Sequence, residues 1–223
     1  MRIVVHAQAA SVKAPPMSLF VILLGGRLTA TPRLKKQVEG ARVIAADSGM
    51  AHAEPLGLAP EVWVGDFDSA GPALQEKYAH VPRLVFPQDK DATDGEIACD
   101  EAIRRGATRL ILAGAFGGQS DHFLGTLMLS LRFRLQNIEI MMTSGDEEGW
   151  PLAPGHLKLD LQSGTRISVV AITELASLSM AGVKWPLQGR RVPLGSSLTL
   201  SNVATGPVSI TSSSGNAIVM AYP

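Results

Sequence analysis

Six short apolar runs punctuate the first 145 residues: Leu19–Leu24, Arg42–Ala46, Val62–Val64, Arg83–Phe86, Arg109–Ala113 and Ile138–Met142. Polar alternation is missing from them, as in strands covered on both faces. Amphipathic stretches lie between several of the runs, and this alternation predicts βα units around a mostly parallel sheet. One helix is marked at both ends. Thr93-Asp94-Gly95-Glu96 fits a capping box with Thr93 as N-cap, Ala98, Cys99, Ala102 and Ile103 form an apolar face, and Gly106 suits the C-terminal cap. A second helix is predicted from near Asp121, carrying Phe123, Leu124, Leu127, Met128 and Leu131.

After residue 150 the pattern changes. Asp160 and Glu174 are the only acids beyond that point, and Ser, Thr, Gly and Val dominate runs such as TRISVVAI, SSLTLSNV and GPVSITSSSG. Short strands separated by turn signals predict a smaller all-β, sandwich-like part. The expected organisation is a disordered extension over 1–17, an α/β domain over 18–148 and a β-sandwich domain over 149–223. The join falls in GDEEGWPLAPG, Gly145–Gly155, which reads as a linker. Met17 is an alternative start, because the stretch before it has no signal-peptide character: His6 and Gln8 break its apolar run.

Composition narrows the function classes. Twenty basic residues balance twenty acidic ones, so nothing points to a nucleic-acid partner. No apolar run approaches the ~20 residues that span a bilayer, so no membrane association is expected. A single cysteine, Cys99, allows neither an internal disulfide nor a cysteine metal cluster, which fits a reducing, cytoplasmic setting. Within its helical pattern Cys99 reads as a small buried hydrophobe, with a nucleophile as the alternative.

The candidate chemistry lies where predicted strands end. Asp47 follows the second run, Asp66 and Asp68 the third, Asp89, Asp91 and Asp94 the fourth, and Asp121 the fifth. In open parallel sheets the crevice beyond the carboxyl ends of the strands is the usual ligand site. Any one such aspartate can be a turn or cap residue, but four acid-bearing loops on one rim would repel unless a cation sat among them. Asp66 and Asp68, at positions i and i+2 of extended chain, are expected to point the same way. Oxygen-only ligands select a hard ion, magnesium or manganese, shared with phosphate oxygens. Gly25-Gly26 and Gly114, Gly117 and Gly118 follow the first and fifth runs, where residues without Cβ let backbone N–H groups approach phosphate. Lys90 is a candidate for neutralising phosphate charge or a solvated surface lysine, and His122 reads as a cap-region residue or a base.

Three segments in order, ADSGMAHAEPLGLAPEVWVGDFDS, PQDKDATDGEIA and GAFGGQSDHFLG, resemble the signature segments of thiamine pyrophosphokinases. AGVKWPLQGRRVPLGSSLTLSN resembles that family's thiamine-side segment. The resemblance implies magnesium-dependent transfer of a pyrophosphoryl group from ATP to the thiamine hydroxyl, giving thiamine diphosphate and AMP. It also implies a homodimer with active sites shared between the α/β domain of one subunit and the β domain of the other. By motif matching, Asp66, Asp68, Asp91 and Asp94 are expected at the metal and phosphates. Asp47, Ser48, Gly49, Thr93, Asp121 and His122 are expected to line the nucleotide and substrate cleft with Gly25, Gly26, Lys90, Gly117 and Gly118. Ser201, Asn202 and Trp185 are expected at the thiamine ring.

The chain departs from the family pattern at three places. Gln119 stands where Arg is usual, which removes a fixed cation that Gln cannot replace. Gly125 stands where Asn is common, and Val203-Ala204 where an acidic-aromatic pair is typical. Two alternatives remain: a pyrophosphokinase acting on another hydroxymethyl heterocycle such as a pterin, and a non-catalytic nucleotide- or thiamine-binding module.

Overall fold

The computed structural model describes residues 18–87, 89 and 91–223. The expected extension over 1–17 and Lys90 therefore lie outside the described residues. Six strands, β1 (Leu19–Leu23), β2 (Arg42–Ala46), β3 (Val62–Gly65), β4 (Arg83–Val85), β5 (Arg109–Ala113) and β6 (Glu139–Thr143), coincide with the six apolar runs to within a residue. They pair in parallel in the order β4-β3-β2-β1-β5-β6.

Side chains leave this sheet alternately. Phe20, Ile22, Ile44, Val64, Leu110 and Leu112 pack on one face under α4 (Asp94–Arg104) and α5 (Ser120–Leu135). Val21, Leu23, Val43, Trp63, Ile111 and Met141 pack on the other, under α1 (Pro32–Gln37), a 3-10 helix at Asp47–His52 continuing into α2 (Ala53–Leu56), and α3 (Pro72–Lys77). Both faces are covered, so these strands carry no polar alternation. β4 is the exception: it is the edge strand, and Arg83 and Val85 are exposed. Thr93 caps α4 as the sequence predicts, but the capping box is only half formed. Thr93 Oγ1 accepts from the Glu96 N–H at 3.2 Å, while the Glu96 carboxylate reaches Arg132 of α5 at 2.7 Å.

The stretch expected as a linker is itself a strand. β7 (Glu148–Leu152) pairs antiparallel with β6 through Glu148 and Gly149, and along its length with β13 (Ala217–Tyr222). The sheet then runs on through β9 (Arg166–Ala171) to β12 (Asn202–Ser212), β10 (Leu175–Val183) and β11 (Leu187–Val192), all antiparallel. β12 turns the corner. Asn202 and Val203 pair with β9, whereas the stretch from Val208 pairs with β8 (Gly155–Leu159) on one side and β10 on the other. The folded-over layers enclose a third core that includes Ile167, Val169, Leu178, Met180, Val208, Ile210 and Val219. β13 serves two cores at once, with Ile218 and Met220 under α5 and Ala217, Val219 and Ala221 in the sandwich. Among the described residues no helix is long and apolar enough to cross a membrane.

Candidate active site at the carboxyl edge of the sheet

Strand order reverses between β1 and β5, and ligands of open α/β sheets bind at such a switch point. The loops after these two strands lie against each other. Gly26 N donates to Gly114 O at 3.0 Å and Arg27 N to Phe116 O at 2.7 Å. A Cβ on Gly26 would fall 2.3 Å from the Gly114 carbonyl oxygen, so glycine is needed there for backbone packing, whatever the ligand. His52 holds the same loop from below, its Nε2 being 2.9 Å from Gly26 O.

Across the switch point opens a cleft of about 520 Å³, lined by Gly25 and Gly26, Asp47 and Ser48, Ser69, Thr93 to Gly95, Gly117 to Gln119, and His122. Two helix starts contribute to it, those of α4 and α5, and each directs backbone N–H groups and the positive end of its dipole toward the rim.

The acid cluster assembles from two turns. β2 ends at Ala46, and Asp47 follows with a left-handed backbone, φ 43°. β3 ends at Gly65, so Asp66 and Asp68 do not lie in extended chain. Phe67 between them is left-handed at φ 65°, and the Asp68 N–H donates to Asp66 Oδ1 at 3.2 Å. The two carboxylates converge as expected, but a turn brings them together, not strand periodicity. One oxygen each from Asp47, Asp66 and Asp68 lies within 4.8 Å of the others. Ser69 Oγ donates to Asp47 Oδ2, while Asp47 Oδ1 is buried with no hydrogen-bond partner among the described residues.

Burial pushes the Asp47 carboxyl above its usual range. The Ser48 N–H opposes the shift, and the charges of Asp94, Asp66 and Asp68 add to it. A half-buried carboxylate with an orphaned oxygen, facing two further carboxylates, fits a hard divalent cation.

The other expected residues divide. Asp94 lines the cleft with Asp47; Asp66 and Asp68 adjoin Asp47 without lining the cleft, and Asp91 is exposed and belongs to neither the cleft nor the triplet. Gly49 is buried behind the cleft wall, where a Cβ would meet Leu23 O at 2.2 Å. Asp121 and His122 border a second cavity of about 290 Å³ between α4 and α5, where the Asp121 carboxylate accepts the His122 N–H at 2.9 Å. Cys99 lines that cavity, fully buried, with its thiol pushed far up by burial, which suits a hydrophobe and not a nucleophile.

Ser201, Asn202 and Trp185 do not line the cleft in the single chain. Asn202 is buried and holds the Trp185 backbone, accepting from its N–H at 3.1 Å and donating to its carbonyl at 2.8 Å; the Trp185 side chain is left exposed. The sequence alone does not mark Ser69, His52 or Trp63 as parts of the site. Ser69 abuts the Asp66–Asp68 motif, an available signal, whereas the roles of His52 and Trp63 arise only once the loops are stacked.

Two family models match the chain: "Thiamin pyrophosphokinase, catalytic domain" over residues 35–142, and "Thiamin pyrophosphokinase, vitamin B1 binding domain" over residues 156–216. The chain belongs to the thiamine pyrophosphokinase family. It is 29% identical to the thiamine pyrophosphokinase of Bacillus subtilis over 191 residues, covering 83% of this chain and 89% of that one. To thiamine pyrophosphokinase 1 of rice it is 26% identical over 158 residues, covering 65% of this chain and 59% of that one. The crystal structure of the Bacillus subtilis protein superimposes with a TM-score of 0.81 at 26% identity, covering 92% of this chain and 99% of that one. The Candida albicans thiamin pyrophosphokinase, at 12% identity and a TM-score of 0.76 over 92% of this chain and 89% of its own, shares the fold. The catalytic-domain match of the thiamine pyrophosphokinase family spans the whole acid cluster, and the second match spans Trp185, Ser201 and Asn202. Gly25 and Gly26 precede both matched spans, and β7 lies in the interval between them.

Proposed function

We propose that the chain is a thiamine pyrophosphokinase that moves the pyrophosphoryl group of ATP to the hydroxyl of thiamine, releasing AMP and giving thiamine diphosphate. The observation that carries this reading is the acid triplet Asp47, Asp66 and Asp68, whose member Asp47 lines one cleft with the glycine loops and two helix starts. The fit of the triplet to a hard cation favours magnesium, with Asp94 at its margin. Bound there, magnesium would supply charge neutralisation on the phosphate oxygens of the nucleotide.

The chain's own part is positioning. Backbone N–H groups of the glycine loops and of the first turns of α4 and α5 bind the phosphate tail, and His52 keeps the first loop in register. The thiamine oxygen forms its bond to the β-phosphorus as the bond from that phosphorus to the bridging oxygen of the AMP group breaks. The hydroxyl proton passes to a carboxylate of the site, Asp94 in the cleft or Asp68 in the triplet. Such transfers need little covalent help from protein, so orientation and electrostatics carry the rate. Gln119 lines the cleft without a charge, which leaves phosphate binding to backbone donors and the ion.

In this reading thiamine meets Trp185, Ser201 and Asn202 of a second copy of the chain, in a cytoplasmic homodimer with shared sites. Incubation with ATP, magnesium and thiamine, followed by chromatography for AMP and thiamine diphosphate, tests it. AMP and thiamine diphosphate formed in equal amounts support the proposal. Binding of both substrates without product would replace it with a binding module, and turnover of a hydroxymethyl pterin in place of thiamine would reassign the acceptor.

A further inference from the structure

We infer that Trp63 sets the spacing of the three cluster carboxylates, as a positioning residue acting through Asp47 and Phe67. The inference rests on the ion-binding reading of that cluster. Both acid-bearing turns contain a non-glycine residue in the left-handed region, Asp47 and Phe67, a conformation L-residues leave readily unless held. Both are held by the same side chain. The Trp63 indole N–H donates to the Asp47 carbonyl at 2.8 Å. Its ring takes the Phe67 ring edge-on, with centroids 5.0 Å apart and planes at 81°.

Trp63 is fully buried, so it has little freedom to shift. Tyr78 packs edge-on against it at 6.4 Å, and the Arg83 guanidinium lies 5.1 Å from the Trp63 ring and 4.8 Å from that of Phe67. Gly65, between Trp63 and Asp66, lets the turns touch, since a Cβ there would come within 3.3 Å of the Asp47 Cβ. One rigid ring therefore ties the Asp47 turn to the Asp66–Asp68 turn. No ionisable atom of Trp63 takes part.

The test compares Trp63→Phe, which loses the N–H donor, and Phe67→Leu, which loses the ring under the second turn, with Phe133→Leu. Phe133 is equally buried but packs on the opposite face of the sheet. Manganese binding is followed by electron paramagnetic resonance, with calcium as competitor and Asp66→Asn as the ligand-loss control. Each of the first two variants is expected to bind manganese about tenfold more weakly, as when an outer partner of a metal ligand is removed. Each is also expected to discriminate less against calcium, which tolerates looser cages. Phe133→Leu is expected to lower thermal stability and leave both quantities unchanged.

Unchanged manganese affinity and calcium ratio in Trp63→Phe and Phe67→Leu overturn the inference alone, provided Asp66→Asn still loses the ion. If Trp63→Phe does not fold, Phe67→Leu decides by the same criteria. Absence of manganese binding in the unaltered protein overturns both the inference and the ion-binding reading beneath it.

Discussion

Arg33 and Glu148 meet in a two-pronged ion pair across 115 residues of sequence, Nε to Oε1 at 2.6 Å and Nη2 to Oε2 at 2.9 Å. Gln37 adds a third donor to the same carboxylate at 2.7 Å. Glu148 is 1% exposed and Arg33 36%, so the two partners are unequal when orphaned. Arg33→Ala strands a buried carboxylate, whereas Glu148→Gln leaves a guanidinium that reaches water. Urea denaturation is expected to show Arg33→Ala as the costlier change, by about 3 kcal/mol against about 1–2 kcal/mol. Equal costs would mean that Gln37 alone satisfies Glu148.

Asp66→Asn and Asp68→Asn are each expected to lower turnover by roughly 100-fold or more while the circular dichroism spectrum is unchanged, because an amide oxygen replaces a charged ligand. Either variant at near-normal activity would remove that residue from the ion site.

Asp47 makes a prediction of opposite sign for stability. Burial and neighbouring acids raise its carboxyl above the ordinary 3.8, so the folded state holds this proton more tightly than the unfolded chain does. Between the ordinary and the raised value, stability therefore falls as pH rises, and near neutrality the ionised group is a liability without a cation. Asp47→Asn is expected to raise the melting temperature of the metal-free protein at pH 7 and to flatten its dependence on pH in that acidic window. It is also expected to shrink the further rise that magnesium gives the unaltered chain. Differential scanning calorimetry with and without magnesium reads all three.

Trp185 is exposed while its backbone is clamped by Asn202, an arrangement that presents a ring at a fixed place. Trp185→Ala is expected to raise the KM for thiamine about tenfold, equivalent to ~1.4 kcal/mol, with the KM for ATP little changed. Steady-state kinetics varying each substrate in turn separates the two, and an equal effect on both would make the ring a structural element.

The parallel strands were readable in sequence because burial on both faces writes an uninterrupted apolar run, as in Phe20 to Leu23, and the α4 start because Thr93 carries its own cap. β7 was not readable. Its charge, glycine and Pro151 look like a linker, and only pairing with the preceding β6 and with β13, distant in sequence, makes it a strand. Pro151 lies beyond Glu148 and Gly149, the residues that pair with β6, so its missing N–H costs that ladder nothing. The pairing of Asp66 with Asp68 was legible, though the turn at Phe67 and not the strand period produces it. The motif match puts Asp47 in the cleft and not among the metal ligands. Its place in the triplet depends on β2 lying beside β3 and on the Trp63 indole, neither visible from ADSG. The family resemblance puts Asn202 on the thiamine side, while the Trp185 backbone it clamps is not visible in the sequence.

β13 lies between β7 and β9, in the middle of the sheet, yet it follows every other strand in the chain. During synthesis the helical layer over Ile218 and Met220 has no floor beneath part of it until that segment leaves the ribosome. The α/β half, although translated first, therefore waits on the C-terminal residues before it can close. A nascent chain stalled anywhere before Ala217 would present an open hydrophobic seam along β7, a ready target for chaperones and proteases.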